Sequence, residues 1–275
     1  MFQSPTTAQT QTLAGILGRQ KMRLTFIIFF ILVGQRLLGQ VTYSRLLENK
    51  NFQWLTDSSS QELTIYYPAD SWTDKKIENV RQRVISHFNS VKSFVNIKSY
   101  ETRIHLFVVD SREQMKLLVG WETNGSAYYK YNTMTGIASE KTNSIYSNHE
   151  LFHLVAMNLW GVPDIWLNEG MAVYSDNKWH GYDLYQLTKY LVDNNRYISL
   201  TKLIKDFRKA DDLISYPLTG SFVKYLDETY GRDIVIKIWK NKTKNLKRLT
   251  GKTIKDLEVD WLTKIKTIDY KEIKY

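Results

Sequence analysis

Residues 149–174 read HELFHLVAMNLWGVPDIWLNEGMAVY, and the fold is decided there. His149 and His153 are four apart, so on a helix both imidazoles share one face and can grip a single metal ion. Glu150 lies about 100° around the axis, beside the open coordination position, where it can take a proton from a metal-activated water. Ile145, Phe152, Leu154, Val155, Ala156 and Leu159 surround the motif, so the helix is apolar on more than one face and largely buried. Two histidines and a glutamate inside such a helix need partners, and a metal satisfies all three. The plainer alternative is a helix with two incidental histidines.

A catalytic zinc takes three protein ligands and leaves one position for water. Glu169 is the candidate for the third, the plainer alternative being a surface glutamate near a turn. Pro163 stops the first helix and Asp164 is placed to cap a second, and two helices joined by a short turn pack antiparallel. That returns Glu169 to the histidines. Its carboxylate, set among Trp166, Leu167, Met171 and Val173, is costly to bury unless it binds a cation. Gly170 is expected to remove a side chain where the two helices touch most closely. Two imidazoles, one carboxylate and an open site favour zinc over iron or copper.

Working outward toward the N-terminus, the period changes. Glu62 to Tyr67 alternates, with Leu63, Ile65 and Tyr67 on one side, which predicts a half-buried strand. Ile77, Val80, Val84, Phe88, Val91 and Val95 form one apolar stripe on a helix starting near Ser71 to Thr73. Arg103 to Val109 is a second strand, Ser111 to Val119 a short helix, and Ser126 to Ser139 has β-type composition around Gly136. From Thr142 onward the period is helical, with breaks expected at Gly161-Val162-Pro163, Gly181, Pro217 and Gly231. Strand, helix and strand followed by helices is an α+β layout: an α/β part over 52–141 and a helical part over 142–275. Of the remaining histidines, His87 lies beside the apolar stripe and His105 faces away from Ile104, Leu106 and Val108. Both read as structural.

Composition excludes several classes. The chain has 275 residues, 43 % hydrophobic, with 18 Tyr, 11 Phe and 8 Trp, which is too apolar for a disordered protein. The absence of cysteine removes disulfides, Cys-ligated zinc, iron–sulfur clusters and a thiol nucleophile. The net charge of +10 is unevenly spread. Arg19, Lys21, Arg23 and Arg36 precede residue 40 with no acid, while 232–275 holds thirteen bases against six acids. That C-terminal surplus is available to anionic envelope polymer or a membrane surface, although most such surpluses are solvated helix faces. It does not mark a nucleic-acid-binding protein. Leu24 to Val33, LTFIIFFILV, follows three bases and is too short for a comfortable span. It predicts a signal peptide or signal-anchor over 1–39, with Met22 an alternative start, and therefore export of the domain at 40–275.

HELFH followed by PDIWLNEGMAVY resembles the gluzincin metallopeptidases, and within them the peptidase MA-like family, related to the zinc aminopeptidases. The resemblance extends, less specifically, over Ser215–Gly231, and it implies a zincin-like fold. It further implies zinc on His149, His153 and Glu169, Glu150 as general base, and Tyr216 as donor to the oxyanion of the tetrahedral intermediate. His180, in a turn after the Glu169 helix, would be a second candidate for that oxyanion. Two family features are missing. No Gly-Ala-Met-Glu-Asn segment lies between Lys116 and Asn148, although Thr135-Gly136-Ile137 could be the substrate-binding edge strand. Val173 stands where thermolysin carries an aspartate four residues after its glutamate ligand, so another group must orient the histidines.

The expectation is an exported zinc-dependent peptidase acting on peptide or protein substrates, as an endopeptidase because the amine-binding segment is missing. Two rivals stay open: a non-peptidase zinc hydrolase on the same site, and a binding module in which zinc only staples helices. A closed structural site would want a fourth protein ligand, and no nearby cysteine or histidine supplies one.

Overall fold

Three largely buried parallel strands make the centre of the sheet. The computed structural model describes residues 42–141, 144–145 and 147–275, so the segment read as a signal lies outside the described residues. The first part runs α1 (Tyr43–Leu47), β1 (Trp54–Asp57), β2 (Leu63–Pro68), α2 (Trp72–Lys75), α3 (Ile77–Val95), β3 (Ile104–Val109), α4 (Arg112–Val119), β4 (Gly125–Tyr128) and β5 (Thr133–Ile137). The five strands form one mixed sheet in the order β1-β2-β3-β5-β4, with β2, β3 and β5 parallel and both edge strands antiparallel. Leu63, Ile65, Ile104, Leu106 and Val108 face the apolar stripe of α3, where Val80, Val84, Phe88 and Val91 are buried.

Strand β2 is buried on both faces, not on one. The reverse face carries Tyr66, His105 and Phe107. Tyr43 of α1 stacks on His105 at 3.9 Å and Trp54 of β1 meets Phe107 edge-on at 5.2 Å. Alternation within β2 carries no information about this cover, which comes from elements outside it. The stretch after Ser71 also differs. Ser71 Oγ accepts from the Asp74 amide at 3.0 Å and caps only α2, and the chain turns at Lys76 before α3 begins.

The second part is helical: α5 (His149–Trp160), α6 (Ile165–Asp176), a small hairpin of β6 (Lys178–Trp179) and β7 (Tyr182–Asp183), then α7 (Leu184–Asp193), α8 (Leu200–Asp206), α9 (Asp212–Tyr230), α10 (Arg232–Asn241), α11 (Leu246–Thr250) and α12 (Ile254–Lys266). The α+β layout is the expected one. Leu151, Phe152, Leu154, Val155 and Ala156 of α5 are fully buried, whereas Leu159 emerges in its last turn. Among the described residues no helix is long and apolar enough to cross a membrane.

Three expectations about helix punctuation are corrected. Pro217 does not break the chain but lies inside α9. Its missing N–H would have bonded the Leu213 carbonyl, and that oxygen accepts instead from the Tyr275 hydroxyl at 2.6 Å. Asp164 does stand at the N-cap of α6, but its carboxylate is spent elsewhere, accepting from the Thr243 amide at 2.7 Å. Gly170 is not the contact between α5 and α6. A Cβ there would lie 2.8 Å from Val223 Cγ2 and 2.9 Å from the Thr219 carbonyl oxygen, so its bareness lets α6 pack on α9. Tyr174 donates to Asp227 at 3.0 Å, tying the same two helices further along, and Arg232 holds that carboxylate with two bonds of 2.7 Å.

Candidate active site

The antiparallel pair α5 and α6 brings the three predicted ligands to one point. His149 Nε2 and His153 Nε2 each lie 3.2 Å from Glu169 Oε2, and 3.1 Å from one another. The two rings are nearly perpendicular, at 89°. Tetrahedral zinc with bonds of roughly 2.0–2.1 Å spaces its ligand atoms about 3.4 Å apart, close to this triangle. A hydrogen-bonded explanation is poorer, because two imidazole nitrogens and one carboxylate oxygen converge with at most two protons to share. The residues present fit a zinc ion.

Charge explains why a carboxylate is tolerated here. Burial opposes ionisation of Glu169, but the charge of His153 and bonds from both histidines outweigh it and hold the carboxyl far below the usual carboxylate range. Burial pushes His153 down, yet Glu169, with help from Glu150 and Asn168, leaves it raised. The raised histidine adds stability that is fully present below about pH 6.5 and lost as pH climbs through its folded value. The depressed Glu169 adds stability present above its ordinary 4.5 and lost as pH falls. Metal needs the imidazoles deprotonated, so zinc and protons compete at His153. Saturating zinc is therefore expected to raise the thermal unfolding midpoint of chelator-stripped protein more at pH 8 than at pH 6. Equal increments at the two pH values would contradict this coupling.

Asn168, which the sequence reading missed, is buried in the site beside two of the predicted ligands, His153 and Glu169. Among the described residues His153 Nδ1 and Asn168 Oδ1 are both buried without a bonded partner, and the Asn168 side chain favours the protonated imidazole. The signal was available in Asn168 standing next to the ligand Glu169. The motif helix is held at its start by Asp176, whose Oδ1 accepts from the Asn148 amide at 2.9 Å. Asn148 in turn meets His87 Nδ1 at 3.0 Å, which gives His87 a structural task close to the ligands.

The edge strand is β4. Thr135-Gly136-Ile137, read as the candidate edge, belongs to β5 and is flanked by β3 and β4; its Gly136 is bare because Ile145 fills the space, 2.3 Å from where a Cβ would lie. Gly125 of β4 lies directly over Glu150: a Cβ there would be 3.3 Å from Glu150 Cγ. Tyr128, on the same strand, has a buried hydroxyl with no bonded partner among the described residues. Burial pushes it up to about 12, with the charge of Glu150 adding to the shift, so it stays a neutral donor.

Tyr216, the predicted oxyanion donor, has its ring beside that of His149. Its ring centroid is 6.1 Å from that of His149, and Trp179 stacks on it at 4.9 Å. Burial raises its hydroxyl well above the ordinary tyrosine value, with the charges of Glu169, Asp212 and Glu150 acting in the same direction, so it too stays protonated. His180 is exposed at the hairpin tip with φ +50°, its ring against Trp179 and Tyr275 and not against the ligands. His105, bonded to the Tyr66 hydroxyl at 3.0 Å, is structural.

The model of the Peptidase MA superfamily matches residues 90–267, which include both zinc-site helices and most of the chain. The chain belongs to that superfamily. Membership sets it among proteins of the zinc metallopeptidase type, and the gluzincin resemblance of HELFH and WLNEG is thereby borne out. Among solved structures it is similar to native yeast LTA4 hydrolase, at 13 % identity and a TM-score of 0.47, over 77 % of this chain and 38 % of that one. The yeast hydrolase in complex with bestatin gives 14 % and 0.46, over 81 % and 40 %. The chain thus spans about two fifths of the hydrolase chains it matches. No curated protein matches.

Proposed function

We propose that this Peptidase MA superfamily member is an exported zinc-dependent endopeptidase. The observation that carries the reading is the triangle of His149, His153 and Glu169 with Glu150 on the adjoining face, beneath an edge strand. A bound zinc would act there as a Lewis acid, acidifying a water and polarising the scissile carbonyl. Glu150 takes the proton from that water as general base and passes it to the leaving amine as general acid. Tyr216, neutral at physiological pH, donates to the oxyanion as it develops. Strand β4 offers an unpaired edge along which an extended peptide can add its backbone bonds.

The endopeptidase assignment rests on β4 itself. Gly125-Ser126-Ala127-Tyr128 contains no acid, so the strand above Glu150 offers nothing to hold a protonated amino terminus. Export is proposed from LTFIIFFILV and the bases before it. Peptides blocked by N-acetylation and C-amidation test the reading, with mass spectrometry locating the cut. Internal cleavage of blocked peptides is expected. Stepwise loss of residues only from peptides with a free amino end would overturn the endopeptidase assignment.

A further inference from the structure

The hydroxyl of Tyr275 reaches a carbonyl that a proline has freed, one turn from the proposed oxyanion donor. Within α9, Pro217 cannot bond the Leu213 oxygen, and Tyr275 Oη donates to it at 2.6 Å. Leu213 precedes Tyr216 by three residues, so the bond closes the helix turn that carries Tyr216.

The rest of the C-terminal strap is held to the same wall. Tyr182 Oη donates to the Lys274 carbonyl at 2.9 Å, and Ile273 is buried. Arg196 donates to the Tyr275 backbone oxygen at 3.3 Å and lies 5.5 Å over its ring. The strap also borders the residue stacked on Tyr216. The indole N–H of Trp179 is buried with no bonded acceptor among the described residues, and the ring of the next residue, His180, packs edge-on to Tyr275 at 6.0 Å. Trp179 on one side and Phe207 on the other, at 4.9 Å and 5.2 Å, clamp the Tyr216 ring. No step of the proposed reaction uses Tyr275, Pro217 or Trp179.

We infer that Tyr275 is a positioning residue, which through the Leu213 carbonyl holds Tyr216 at the angle its bond to the oxyanion requires. The inference rests on the peptidase reading above for what Tyr216 does, but not for what Tyr275 holds. A bond of this kind is worth about a factor of five in the equilibrium it stabilises.

The test uses the full chain as Tyr275→Phe, Tyr216→Phe and the double variant, with zinc content, kcat and KM on a blocked peptide, and hydrogen exchange of the metal-free proteins. Tyr275→Phe should lower kcat about fivefold with KM and zinc content unchanged, and should speed exchange at the start of α9 by a similar factor. In the Tyr216→Phe background the same substitution should cost no further kcat. Equal kcat losses in both backgrounds, or faster exchange with unchanged kcat, would overturn the positioning role. Exchange decides separately from chemistry. If the parent cleaves no peptide but Tyr275→Phe still loosens α9, the peptidase reading fails and the tie stands; unchanged exchange defeats the tie itself.

Discussion

Glu150→Gln is expected to keep the zinc and lose the reaction. The substitution preserves length and volume at a position that is not a corner of the ligand triangle, so His149, His153 and Glu169 keep their separations of 3.1–3.2 Å. What disappears is the only group in the proposed mechanism able to accept a proton beside the activated water. General acid–base catalysis contributes about 10²–10⁴-fold, and Glu150 is asked to act in both directions, so a loss of roughly 10³ in kcat or more is expected. KM should move little, because no substrate contact is assigned to this carboxylate. Active-site titration of metal by elemental analysis, alongside kcat, checks both halves. A variant that cleaves within tenfold of the parent would show that the proton goes elsewhere.

Glu169→Gln should do the reverse, losing metal first. Its carboxylate is the one anionic corner of the triangle, bonded to both imidazoles and held ionised by them. Outer partners of zinc ligands already cost 10–100-fold in affinity when removed, so loss of a ligand itself should cost about 100-fold or more. Zinc at a thousand times its Kd stabilises a fold by about 4.1 kcal/mol, and a 100-fold weaker site gives up about 2.7 kcal/mol of that. The unfolding midpoint of the variant should therefore respond to zinc only at much higher concentration. Isothermal titration of stripped protein reads the affinity directly. Unchanged affinity would remove Glu169 from the ligand set.

The ligand set was legible because it depends on local spacing alone. His149 and His153 share a helix face by arithmetic, and Glu169 needed only one antiparallel turn. The wall opposite was not legible. Which strand is the sheet edge depends on β4 pairing with β5 across a bend, and the β-type residues from 126 to 139 carry no mark saying which of two strands lies outermost. Gly125 became visible as a site residue only once β4 was placed against Glu150, where a Cβ on the glycine would lie 3.3 Å from Glu150 Cγ. Gly170 illustrates the same limit: the demand for a bare backbone could be read from the sequence, but its partner, Thr219 and Val223, is fifty residues away. Pro217 misled for a tertiary reason, since the bond it cannot make is replaced by a tyrosine at position 275. Half-buried β2 failed likewise, because α1 covers its second face.

The proposed function stands or falls on whether zinc at this site makes the chain a peptidase. The most direct measurement is to strip the full chain with chelator, return zinc in steps, and follow cleavage of a blocked peptide library. Cleavage is expected to return in proportion to zinc and to saturate at about one equivalent per chain. Zinc bound at one equivalent with no peptide cut would contradict it, as would cleavage that survives the complete removal of metal.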